Sequence, residues 1–370
     1  MNQRNQFESI DLSARLAMHR SRRLQELLAH LASLHFDAAD PVAVGQAFHI
    51  MVNTGFDDLP QPGCGQTAER WNRIAAVASH DLNLVRLFES HTDALAILAE
   101  LGENCNQPGW YWGVWANDAP QERITATPIT PGEVLLNGGK SWCCGAALIS
   151  HALVTAWEPD GTAGLYAVAL NRPGITVNTG PDPEAKLQPF FNAEVHFKQT
   201  RAIRIASGCM YTERPGFWQG GIGLAAAWFG AATTIGQAAM RGAEHFPDPE
   251  RNAHLGKILV ALGSAAAVLR EAAAAIDHMP RADMRWIALR TRLDVEYAVR
   301  SVLEHAHRAL SATPLQQDAH VVRLLADLPL FMQQDHTERD PAELGEYYAQ
   351  RNGNDYVLSD LLEESRLWQI

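Results

Sequence analysis

The sequence has no cysteine pair at a metal-binding or redox spacing. Its five cysteines, Cys64, Cys105, Cys143, Cys144 and Cys209, are odd in number and form no Cys-x-x-Cys, so neither a disulfide framework nor a zinc knuckle is indicated. Reduced thiols follow, with the neighbours Cys143 and Cys144 acting as small apolar fillers. No run of about 18 consecutive apolar residues occurs, and Met1 to Glu8 are polar, without the apolar core and cleavage site of a secretory signal. A cytoplasmic protein with no membrane partner is the expectation. Positive charge is scarce as well: 30 Lys and Arg against 42 Asp and Glu give a formal net charge of -12. Only Arg20, Arg22 and Arg23 cluster, as the solvated face of a first helix, so nucleic acid is not an expected partner. Internal repeats and low-complexity segments are also missing.

What is present is a chain of 370 residues, 47% hydrophobic and 19% charged, long enough to bury a large core in two or three domains. From Leu12 to about Leu101 the pattern is helical: Leu24, Leu27, Leu28 and Leu31 form one stripe, and Leu84, Phe88, His91, Leu95 and Leu98 another. Two prolines and two glycines between Leu59 and Thr67 break the helices apart. From about Asn104 the signature changes to short β-branched and aromatic runs: Glu133 to Leu136, Ala152 to Trp157, Gly164 to Leu170, Ile175 to Asn178 and Glu194 to Lys198. Asn137-Gly138-Gly139 supplies the positive φ angles of a tight hairpin. After Pro215 the chain is Ala-rich and helical again, with Leu255, Ile258, Leu259, Leu262, Ala266, Leu269, Ala273 and Ile276 on one face. Further helices are expected over about Arg285 to Leu310 and His320 to Gln334. The expected division is a helical domain over 1–103, a β domain (barrel or sandwich) over 104–215, a four-helix bundle over 216–350 and a tail over 351–370.

One segment is specific enough to carry a resemblance. Leu136-Asn137-Gly138-Gly139-Lys140-Ser141-Trp142-Cys143-Cys144-Gly145-Ala146, followed by Ala152-Leu153-Val154-Thr155-Ala156, resembles the Leu-Asn-Gly-x-Lys-x-Trp segment and the next strand of the acyl-CoA dehydrogenase superfamily. The order of helical domain, β domain and four-helix bundle is similar to that family over almost the whole length. The resemblance implies FAD as cofactor, with Trp142 beside the isoalloxazine and Cys144, in place of a hydroxyl residue, against its N5 edge. It also implies flavin contacts at Asn117, in Val114-Trp115-Ala116-Asn117-Asp118-Ala119-Pro120, where the family carries a Gly-Ser-Asp stretch that is missing here. Phe246 is the one match to the family's Arg-x-x-Phe-Gly stretch. Ser311 and Ala312 stand where the family has a Gly-Gly turn approaching the flavin pyrophosphate.

The family's chemistry needs a carboxylate base. In many members it is a glutamate eight residues after an Asp; eight residues after Asp327 stands Asp335, in Gln333-Gln334-Asp335-His336-Thr337, with Thr337 also in the family's place. Relatives that oxidise nitroalkanes use an aspartate, and oxygenating relatives have a histidine near this position, so both Asp335 and His336 are candidate catalytic residues. The resemblance therefore implies α,β-dehydrogenation of an acyl thioester, with an electron-transfer flavoprotein or dioxygen as the electron acceptor. A flavin oxidase or monooxygenase on the same fold, or a flavin-free oligomeric binding or scaffold relative, stands beside it. The close-packing surface of Gly220 to Gly242 and Leu255 to Ile276 implies a homodimer or homotetramer.

Overall fold

The computed structural model describes residues 22–103, 105–116, 123–179, 192–241, 248–310, 318–333 and 339–352. Helix α1, over residues 22–33, is followed by α2 (Pro41–Asn53), α3 (Thr67–His80) and α4 (Leu82–Glu100). Local chemistry sets their ends. Asp40 accepts a hydrogen bond from the Val42 amide and Pro41 starts α2, where a missing N–H costs nothing. Asp81 closes α3 and caps α4 by accepting from the Leu84 amide at 2.8 Å. The stripe Leu84, Phe88, His91, Leu98 is buried as the periodicity predicts, whereas Leu28 is largely exposed.

Seven strands form one mixed sheet: β1 (Trp112–Trp115), β2 (Thr125–Thr130), β3 (Glu133–Cys144), β4 (His151–Trp157), β5 (Ala163–Ala169), β6 (Ile175–Asn178) and β7 (Asn192–Ser207). Pairing runs from β4 through β2, β3, β7 and β5 back to β4, with β1 beside β4 and β6 beside β7. One face encloses Trp115, Val134, Leu136, Val154, Tyr166, Val195 and Phe197. The other lays Trp112, Leu153, Leu165 and Ile205 on Ala94, Ile97 and Leu98 of α4. Strand β4 is buried on both faces from Ala152 to Ala156 for that reason. Two expectations are corrected. Asn137-Gly138-Gly139 is no hairpin: β3 runs straight through it, with Gly138 at φ 124° where the register with β7 shifts. Strands β1 and β2 lie outside the expected set, being short in one case and largely exposed with an internal Pro128 in the other.

After the short α5 (Met210–Glu213) come α6 (Pro215–Arg241), α7 (Pro249–His278), α8 (Arg285–Ala309), α9 (Ala319–Gln333) and α10 (Arg339–Asn352). Gly230 of α6 lies so close to the Ala75 backbone of α3 that a β-carbon there would collide with it. Helix α7 reaches back to the first helices, where Asp277 accepts hydrogen bonds from the Thr67 amide and, at 2.6 Å, from the Thr67 hydroxyl at the start of α3. Its buried stripe is Leu255, Ile258, Ala261, Ala265, Leu269, Ala273 and Ile276; Leu259, expected inside, is exposed, and Leu262 and Ala266 are half-buried. By length and composition α7 alone among the described helices could cross a bilayer, with only 33% of its most apolar window covered by the rest of the chain.

Candidate functional site

The last residues of β3 meet α4. Lys140 is buried and donates to the Thr155 hydroxyl at 3.1 Å. Register with β7 then shifts again between Lys140 and Cys143, and Trp142 takes a left-handed φ of 62°. Its indole is 63% exposed, although Trp115, on the neighbouring strand segment, is 2% exposed and donates its indole N–H to the Cys144 carbonyl at 3.2 Å. Cys143 turns into the sheet core and Cys144 into the helical core. Gly145 follows with φ 67°, and a β-carbon there would strike Leu87 of α4. Sheet end and helix are therefore in direct contact.

Burial pushes the Cys144 thiol above its ordinary pKa, opposed by Arg86 of α4, which donates a hydrogen bond to it, and reinforced by Glu89. The thiol stays protonated at neutral pH. The Arg86 guanidinium also lies over the Phe331 ring of α9, 5.6 Å from its centre. Sheet, α4 and α9 thus converge at Cys144. Beyond Phe331 the chain resumes as α10, whose Asp340 pairs with Arg292 of α8 at 3.1 Å; Arg292 in turn donates to the Gly221 carbonyl of α6 at 3.3 Å. Glu343 of α10 holds Arg285 at 2.6 Å.

Along α4 from Arg86, the residues Glu89 and Asp93 fall on the same face at spacings of three and seven. Opposite them α6 presents Gly223 and Gly220: a β-carbon at Gly220 would lie 2.8 Å from the Asp93 carboxylate, and one at Gly223 4.0 Å from Glu89. Arg70 of α3, Tyr211 of α5 and Arg214 border the same seam. Burial, with Asp93 next, raises the Tyr211 phenol above its ordinary pKa, so it stays neutral. Arg214 is engaged with Glu100 at 2.7 Å and lies over the Tyr211 ring.

Of the residues singled out from the sequence, Trp142 and Cys144 share the edge just described. Asn117, Phe246, Ser311, Asp335, His336 and Thr337 lie outside the described residues. Sequence reasoning missed Arg86, Glu89, Asp93 and Arg70. Their signal was charge recurring on one face of otherwise apolar helices.

No protein-family model matches the chain, and no curated protein matches it in sequence. Solved structures do. Butyryl-CoA dehydrogenase from Megasphaera elsdenii superposes with a TM-score of 0.73 at 12% identity, over 89% of this chain and 98% of that one. The chain has the acyl-CoA dehydrogenase fold. Other proteins similar to this chain include the dibenzothiophene monooxygenase TdsC from Paenibacillus sp. A11-2, in complex with FMN and indole (TM-score 0.68, 17% identity, 90% of this chain and 98% of that one). KijD3, in complex with FMN and a dTDP-linked amino-keto sugar, gives a TM-score of 0.70 at 16% identity over 93% of each chain. Within the acyl-CoA dehydrogenase fold, the edge of Trp142 and Cys144 is the part of the sheet turned toward α4 and α9.

Proposed function

We propose that the protein is a flavin-dependent oxidoreductase with the flavin ring along the Trp142–Cys144 edge. The observation that carries this reading is Trp142 itself. A large indole held in left-handed backbone and 63% exposed is unfavourable on two counts, and a flat aromatic cofactor laid against it would remove the second. The donor set fits a flavin: a protonated thiol at Cys144, the Arg86 guanidinium behind it, and the exposed ring beside it. Asn117, Phe246, Ser311 and Thr337 are the further cofactor contacts in this reading. FAD is the cofactor proposed, with FMN, named for TdsC and KijD3, as the variant.

Bound flavin supplies a two-electron acceptor. The reaction we propose for the chain is α,β-dehydrogenation of an acyl thioester, in which Asp335 takes the proton from the carbon next to the thioester. Asp335 follows Phe331 by four residues, and Phe331 rests on the arginine that binds Cys144. An electron-transfer flavoprotein is the acceptor in this reading. The second reading, an oxidase or monooxygenase that uses dioxygen, is favoured by the likeness to TdsC and gives the proton-handling role to His336. Self-association as a homodimer or homotetramer is part of the proposal. The uncovered face of α7 and α8 carries Leu259, Val260 and Tyr297 beside a hollow of about 430 Å³ lined by Gly256, Lys257, Ser301 and His305.

The test is anaerobic reduction of the flavin-loaded protein by a panel of acyl-CoA thioesters. Bleaching of the visible flavin band by a thioester without oxygen supports dehydrogenation, and Asp335→Asn should slow it by about 10²- to 10⁴-fold while leaving flavin content unchanged. Reaction only from the reduced flavin with oxygen, lost in His336→Ala and kept in Asp335→Asn, would replace the first reading by the second.

A further inference from the structure

The seam between α4 and α6 contains a pair of charges that the fold leaves apart. Arg70 is 3% exposed, yet its one hydrogen bond among the described residues goes to the Pro60 carbonyl at 3.3 Å. Neither Asp93 nor Glu89 comes within the 4.0 Å of an ion pair with it, although both face it electrostatically. Its neighbour Arg73 shows the ordinary solution on the same helix, a 2.9 Å pair with Glu69. Asp93 accepts no hydrogen bond from the described residues, and Gly220 opposite leaves room beside its Oδ1. A guanidinium presents five N–H donors and a carboxylate only acceptors. Both are costly to leave unpaired away from water.

The seam is graded along its length. At its outer end Glu100 is filled by Arg214 and by the Gly216 amide at 2.8 Å. At its inner end Arg86 binds the Cys144 thiol. Between them, Arg70 and Asp93 hold complementary valences open, seven residues or about 10 Å along α4 from Arg86. A group able to accept from Arg70 and donate to Asp93 is a hydroxyl or an amide. A hydrocarbon tail would leave both charges stranded.

We propose that this seam holds the far end of the substrate, and that this end carries a hydroxyl or amide group clasped between Arg70 and Asp93. The proposal deepens the flavin reading by naming the substrate class, and rests on that reading for which end reacts. Tyr211, neutral and stacked near Arg214, would add a donor at the same place.

Two experiments on the full-length, flavin-loaded protein test it. In the first, octanoyl-CoA and 8-hydroxyoctanoyl-CoA are titrated by calorimetry, with flavin content read from the visible spectrum of each variant. The hydroxylated probe is expected to bind at least tenfold more tightly, with the ratio falling toward one in Arg70→Met and in Asp93→Leu at unchanged flavin content. Equal binding, or preference for octanoyl-CoA, overturns the proposal. Binding of neither probe by a yellow protein counts against the thioester reading alone, and the second experiment then decides. The double variant Arg70→Met/Asp93→Leu removes two charges that the protein itself does not pair. Its melting temperature should equal or exceed that of the wild type, because an unpaired buried charge is replaced by apolar packing. A fall of more than about 5 °C would give the two residues a structural role and overturn the proposal whatever the probes do.

Discussion

From Glu133 to Leu136, strand β3 pairs residue for residue with β7 and with β2 across the hairpin, and its side chains alternate between half-buried and buried. From Lys140 to Cys144 the same strand loses register, puts Trp142 into a left-handed conformation, exposes it, and buries Lys140 and two successive cysteines. The first half obeys the packing of the sheet. The second breaks each local rule within five residues, at the one place where sheet, α4 and α9 converge. Irregularity of that density is what a site demands and a core does not.

The comparison is broken most severely by truncating the regular half. Leu136→Ala removes a fully buried side chain from the sheet core and should destabilise the protein by roughly 2–5 kcal/mol, seen as a lower urea midpoint. A cost near zero would mean that the first half is no more constrained than the second. In the irregular half the sign should reverse: Trp142→Gly relieves the left-handed strain, worth about 1 kcal/mol, and loses little packing. Stability should hold or rise slightly while affinity for flavin falls. A destabilised Trp142→Gly would make Trp142 a structural residue.

A smaller effect sharpens the contrast on the adjacent strand. His151, at the start of β4, is stacked on Trp110 with ring centres 3.9 Å apart. Burial, helped by Arg172, lowers its pKa to about 4. In the unfolded chain the imidazole titrates near 6.5, so the contribution of the neutral ring is complete above that pH and is lost as pH falls from 6.5 toward 4. Urea midpoints at pH 7.5 and 5 should therefore differ less in His151→Phe than in the wild type. An unchanged difference would assign the pH dependence to other groups.

The helical parts were legible because burial there follows a single period: Leu84, Phe88 and His91 were placed by spacing alone. His91 shows the limit, since its Nδ1 accepts from the Trp112 amide and its Nε2 faces Asp57, partners that no periodicity reveals. The bend at Gly138 was legible as a positive φ but not as a bulge, because a hairpin and a bulge ask for the same glycine. Trp142 and Cys144 came from a motif, while Arg70 and Asp93 were invisible. A charge in an amphipathic helix reads as surface, and only Gly220 and Gly223, more than a hundred residues later, turn that face inward.

The central claim is that the irregular end of β3 is a flavin site, and the visible absorption spectrum of the purified protein tests it most directly. After incubation with FAD or FMN and removal of free cofactor, the wild type should be yellow, with flavin bands near ~370 and ~450 nm, and Trp142→Ala should retain much less at the same melting temperature. A colourless wild type that takes up neither flavin, or a Trp142→Ala variant as yellow as the wild type, would contradict the account.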